Sequence, residues 1–128
     1  MTVTRKPAAA GRFYPGSAKN LKNIVKNCFL DSNYGPGEDF VLDSNENEQN
    51  AVFGAVSPHA GYTYSGPATA ISMQALFGSK LPDVVLVLGT SHTGDRDIGI
   101  MKQGSWKTPL GDVPVNSQVG GALINGSS

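Results

Sequence analysis

Apolar positions change their period several times along the chain. Ala18, Leu21, Ile24, Val25, Cys28 and Phe29 recur at the spacing of one stripe on an α-helix. Lys19, Lys22 and Lys26 lie on its other side, and Ser17 stands just ahead, a residue type whose hydroxyl caps a helix N-terminus. A helix opening after Ser17 is expected, with Cys28 on its buried face as a small core residue rather than a reactive thiol. Residues 31–50 lose this period. They are polar, acidic and turn-forming apart from Phe40, Val41 and Leu42, and they predict a long surface loop.

After that loop the pattern becomes strand-like. Residues 51–56 (AVFGAV) form a short apolar run, and residues 57–65 read as a loop. Gly66 and Pro67 are expected to open a helix, because proline suits a first turn. That helix would carry Ala68, Ile71, Ala75 and Leu76 on one face and end at Gly78. Residues 83–89 (DVVLVLG) are apolar and β-branched, as in a parallel strand buried on both faces. Strand, helix and strand in this order predict a right-handed βαβ unit. Residues 97–102 alternate and predict a further strand. Residues 103–116, with Trp106, Pro109 and Pro114, read as a loop, and Ser117 is expected to cap a short last helix through Ile124. The expected fold class is α/β, a central sheet with βαβ units and flanking helices.

Composition narrows the partners. The 128 residues suit one domain, 39% apolar. The longest unbroken apolar run, residues 84–88, is far short of the roughly 20 that span a membrane, and no charged-then-apolar leader opens the chain. Cys28 is the one cysteine, which excludes an internal disulfide framework and fits a reducing compartment, so a cytoplasmic location is expected. Zero net charge removes any bulk electrostatic case for nucleic acid or membrane. Six of the ten basic residues lie between Arg5 and Lys26, and six of the ten acidic ones between Asp31 and Glu48. That asymmetry reads as a solvated helix face followed by an acidic loop; a phosphate-binding face would want interleaved aromatics.

The two histidines, His59 and His92, each follow a predicted strand by a few residues. Parallel strands lie about 4.8 Å apart with their carboxyl ends on one edge, where open α/β sheets bind ligands. Two imidazoles about 2.1 Å from one ion are reachable there. Two loop histidines making ordinary hydrogen bonds are the commoner outcome, and a metal usually takes three or more protein ligands. Asp95, Asp97 and Asp112 are candidates by charge, and equally turn residues. Gly89-Thr90-Ser91-His92-Thr93 comes close to the G-x-S-x-G nucleophile elbow but lacks its last glycine, so serine hydrolysis through Ser91 ranks third. Residues 59–66 form a glycine-spaced loop running into a helix N-terminus, where backbone N–H groups can hold an anion. Tyr62 and Tyr64 could line a pocket there or anchor the loop against the sheet.

Four segments resemble those of the MEMO family. Ser57-Pro58-His59-Ala60-Gly61-Tyr62-Thr63-Tyr64-Ser65-Gly66 is similar to its PHAGYxYSG motif, and Leu88-Gly89-Thr90-Ser91-His92-Thr93-Gly94 to its second histidine motif. Ala10-Gly11-Arg12-Phe13-Tyr14-Pro15 resembles its opening segment, and Trp106-Lys107-Thr108-Pro109-Leu110-Gly111 its W-x-TPLG loop. The resemblance implies a fold like that of the class III extradiol-type non-haem iron dioxygenases. It further implies iron or copper held by two histidines, here His59 and His92, and a cysteine. The family's third ligand and its Glu-His-Ser motif come later than residue 128, and Cys28 does not match that cysteine. The chain is therefore expected to be one MEMO-like domain truncated on its C-terminal side, with exposed apolar sheet, self-association and weak metal binding on its own. Tyr62, Tyr64, Ser91 and Trp106 are the expected pocket residues; no catalytic residue is assigned. The implied functions are a metal-dependent redox protein of the AmmeMemoRadiSam system protein B kind, or a non-enzymatic module recognising phosphorylated peptides, as is described for eukaryotic relatives. A radical SAM protein is the implied pathway partner of prokaryotic relatives.

Overall fold

The first helix forms where the apolar stripe predicts. Helix α1 spans Ala18–Leu30, and the Ser17 hydroxyl accepts from the Asn20 N–H at 3.4 Å. It stops at Asp31, whose Oδ1 accepts from the N–H groups of Asn33 and Tyr34 at 2.9 and 2.8 Å, a local turn that competes with further helix. Of the stripe, Leu21, Cys28 and Phe29 are buried and Ile24 and Val25 half-buried, while Ala18 in the first turn is exposed.

The computed structural model describes residues 3–43, 52–92, 94 and 98–126. It divides into two compact units, Ala9–Pro82 and Met1–Ala8 with Asp83–Ser128. The first unit is built on α1 and helix α2, Tyr62–Phe77. Its core is Cys28, Phe29 and Ala70, with Ile24, Val25 and Met73 packed against them. A methyl built on Gly66 would run into the Cys28 Sγ, so a residue without a side chain lets the helices approach. That selects the face of α2. Ser65, Gly66 and Ala70 are buried, whereas Ala68, Ile71 and Ala75, expected on the packed face, are exposed.

Helix α2 also begins four residues earlier than Gly66 and Pro67 suggest. Pro67 lies inside it, where it donates nothing to the Thr63 carbonyl. The earlier start is held from outside the helix, since the Tyr62 N–H donates to the Phe13 carbonyl at 2.9 Å. Gly78 does end the helix, as the C-cap. Part of the expected surface loop is pinned beside that end. The Gln74 side-chain amide bonds both the N–H and the carbonyl of Val41, at 3.2 and 2.8 Å. The Asp43 N–H donates to the Gly78 carbonyl at 2.6 Å, and Phe40 meets Phe29 edge to face at 5.6 Å. The rest of that loop, residues 44–50, lies outside the described residues, as does Ala51.

The second unit holds a mixed three-stranded sheet in the order β1-β2-β3. Strand β1 (Thr4–Arg5) runs parallel to β2 (Ser105–Thr108), which pairs antiparallel with β3 (Gly111–Pro114). The segment expected to be a loop is thus a hairpin. Thr108 pairs with Gly111 across Pro109 and Leu110. The Thr108 hydroxyl accepts from the Leu110 N–H at 3.1 Å and donates to the Gly111 carbonyl at 2.8 Å, and Gly111 takes a φ of +134°. Helix α3 covers Ser117–Gly126. Its cap is Asn116, one residue before the expected Ser117, because the Asn116 Oδ1 accepts from the N–H groups of Gln118 and Val119 at 3.1 Å each.

The α/β class stands, but the predicted βαβ unit does not. Among the described residues, neither 52–56 nor 83–89 enters a β-ladder, nor does 98–102. Val84, Val85, Leu86, Val87 and Leu88 are all exposed, not buried on both faces. A strand acquires its hydrogen bonds only from a neighbour, and the local apolar pattern does not supply one.

Candidate functional site on the His59 loop

Sequence order puts His59 three residues ahead of α2, and the fold ties the loop on both sides of it. The Ser65 hydroxyl, in the first unit's interior, donates to the Ala60 carbonyl at 3.0 Å. One turn on, the Thr69 hydroxyl donates to the Pro58 carbonyl at 3.2 Å. The Ser57 hydroxyl in turn donates to the Thr69 Oγ1 at 3.4 Å. Positions four apart share a helix face, so both hydroxyls reach the same loop. His59 itself is exposed, so a fixed backbone presents the side chain outward.

The opening segment of the chain closes the other side. Besides receiving the Tyr62 N–H, Phe13 lies against Gly61, where an added Cβ would come 3.3 Å from the Phe13 carbonyl oxygen. The Tyr14 and Tyr62 rings meet at a 40° tilt with centroids 5.5 Å apart. Burial, then the neighbouring Tyr14 and Cys28, push the Tyr62 hydroxyl pKa up. Tyr62 is therefore a half-buried anchor. Tyr64, at 87% exposure, points to solvent. At this helix start one of the N–H groups that could hold an anion, that of Tyr62, is taken by the Phe13 carbonyl.

The remaining predicted residues lie in the second unit. Ser91 and His92 are both exposed. Residues 83–90, leading into Ser91, form no strand, and among the described residues the next helix starts at Ser117. Among the described residues, the strand that leads into a nucleophilic serine at a strand-turn-helix elbow is absent ahead of Ser91. Trp106 lies on β2 with the Arg5 guanidinium 4.1 Å from its ring centroid, a cation–π contact that occupies one face of the indole. Asp95 and Asp97 lie outside the described residues, and Asp112 is exposed on β3.

Imidazole nitrogens suit iron and copper, so His59 fits such an ion as a single ligand. Among the described residues, however, no three His, Cys, Asp or Glu side chains converge on a metal position. Cys28 is buried, and burial followed by the Asp31 carboxylate raises its thiol pKa. A ligating or nucleophilic cysteine needs the opposite shift. Phe13 and Ser65 lie within the motif segments, where residue type alone gives them no role, and Thr69 lies beyond them. The signal available for two of them is a pair of hydroxyl residues four apart, just after a loop histidine. Phe13 acts through its carbonyl, which leaves no trace in residue type.

Comparison with known proteins places these motifs in one family. The model of the Memo-like proteins matches residues 5–128. A MEMO1 family protein of Thermotoga petrophila is 44% identical over 126 residues, covering 98% of this chain and 45% of that protein. One from Nitrosopumilus maritimus is 40% identical over 126 residues, covering 98% and 43%. One from Methanobrevibacter smithii is 37% identical over 124 residues, covering 96% and 43%. The chain thus spans less than half the length of these relatives. No solved structure matches it. No helix among the described residues is long and apolar enough to cross a membrane. The histidine motif, the opening segment that packs on it and the Trp106 hairpin all lie within the matched residues, and the chain belongs to the Memo-like protein family.

Proposed function

We propose that this chain supplies part of the metal site of a MEMO-type redox protein, with His59 and His92 as imidazole ligands to iron or copper. The α/β scaffold is read as a portion of a class III extradiol-type fold. The observation that carries the reading is the His59 loop, whose backbone is hydrogen-bonded to α2 on both sides while the side chain stays exposed. An ion-binding side chain gains from such support, because less freedom is lost on binding. The described residues do not complete a ligand set, so no reaction step is derived through the metal.

The test is Fe(II) and Cu binding by the chain purified without oxygen, beside the His59→Ala, His92→Ala double variant. Binding that drops at least tenfold in the double variant is the expected result. Equal uptake by both proteins would refute the assignment. The rival reading, a module for phosphorylated peptides, draws support from the exposed ring of Tyr64. A peptide array without preference for phosphorylated sequences would remove it.

A further inference from the structure

We infer that Ser65 and Thr69 are positioning residues for His59, forming a two-hydroxyl bracket that holds the loop ready to bind a cation. The inference deepens the metal reading of His59 and rests on it. Hydroxyls within a helix commonly turn back to the carbonyl four residues earlier in the same helix. These two leave the helix instead. Ser65 reaches Ala60, which precedes α2, and Thr69 reaches Pro58, eleven positions back. The two accepting carbonyls belong to the residues immediately before and after His59. A bracket at those two points removes backbone freedom around one side chain by bonding only the carbonyls of its neighbours.

The bonds differ in strength, which ranks the two residues. The Ser65 bond is 3.0 Å long and made by a buried side chain. The Thr69 bond is 3.2 Å and leans on a 3.4 Å bond from Ser57, both long for O–H···O geometry. Loss of a hydrogen-bond partner behind a metal ligand typically weakens binding by about 10–100-fold. Ser65→Ala is expected near tenfold, and Thr69→Val, which keeps the shape and deletes the hydroxyl, at a smaller factor.

The experiment uses the whole 128-residue chain, with 15N heteronuclear NOE values at His59 and Ala60 read in the absence of metal. Fe(II) affinity is then measured without oxygen on the same samples. Ser65→Ala, Thr69→Val and Thr69→Ser are compared, each with its thermal melt recorded. Lower NOE values at His59 and Ala60 in the first two variants, weaker Fe(II) binding and recovery in Thr69→Ser bear the bracket out. Unchanged NOE values in folded Ser65→Ala and Thr69→Val overturn it, whatever the metal result. Should Ser65→Ala fail to fold, Thr69→Val with its Thr69→Ser rescue decides alone. Loosened NOE values with no Fe(II) uptake even by the unsubstituted chain uphold the bracket and refute the ligand reading beneath it.

Discussion

The loop of His59 and the loop of His92 arise from the same sequence pattern, an apolar run followed by a histidine, yet the structure treats them differently. The His59 loop leads directly into α2, whose hydroxyls and first N–H lie within reach of it and of Phe13. The run before His92 has no ladder, and Leu88, four residues ahead, is 87% exposed. A helix makes its own hydrogen bonds and then offers a rigid surface to its neighbours. A strand has neither property until something pairs with it. The helix after His59 thus gives its loop a rigid neighbour at short range, whereas the run before His92 stays outside any β-ladder.

Core deletion should break the comparison most strongly. Phe29 is buried and packs in the α1–α2 core, so Phe29→Ala is expected to cost about 3 kcal/mol. Leu86→Ala, at an exposed position of the run before His92, should cost less than about 0.5 kcal/mol. Urea melts of the two variants test this, and equal losses would mean that residues 84–88 are packed after all.

A smaller effect is expected where the helices touch. Gly66→Ala drives a methyl against the Cys28 sulfur, and overpacking of this kind costs about 1–3 kcal/mol. In a double-mutant cycle with Cys28→Ala, part of that loss should be recovered. Strict additivity would place the strain elsewhere.

The same contact carries a pH dependence. Burial and Asp31 raise the Cys28 thiol pKa in the folded chain, whereas the unfolded chain keeps the ordinary value. Between those two values unfolding releases a proton, so stability falls as pH rises through the alkaline range. Tyr62, raised by burial and its neighbours, acts in the same direction at higher pH. Cys28→Ala should flatten the first part of this slope in melts recorded against pH. An unaltered slope would assign the whole effect to other groups.

The smallest effect belongs to the surface. Lys26 and Asp39 pair at 3.0 Å with both side chains more than half exposed, and water and salt screen such a pair. Lys26→Ala is expected to leave the melting temperature unchanged at physiological salt. A clear drop would show that the pair helps hold residues 38–43 against α1.

How far the sequence could be read depends on the range of the interactions involved. Helix α1, its Ser17 cap and the burial of Cys28 were legible because spacing and capping are local. The start of α2 was not, since Gly66 and Pro67 outweighed Tyr62 on propensity while the distant Phe13 carbonyl set the boundary. Pro109 and Pro114 give the segment around Trp106 the look of a loop, although it forms a hairpin. Its signal was the Thr108 hydroxyl and Gly111 on either side of a two-residue turn. Asn116 displaced Ser117 as the α3 cap because its side-chain oxygen reaches two free N–H groups at once. Of the candidate site, His59 and its family motif were visible; the hydroxyls that hold its loop were present but carried no period.

By itself, the sequence determined the family, the two histidine motifs and the helices whose apolar stripe or cap is written in consecutive residues. Tertiary structure alone decided which face of α2 is buried, where that helix begins and which groups steady the His59 loop. Those outcomes depend on a missing side chain at Gly66, a main-chain carbonyl at Phe13 and two hydroxyls meeting partners outside their own helix. Each is a matter of close approach between segments, which residue order constrains only after the chain has folded.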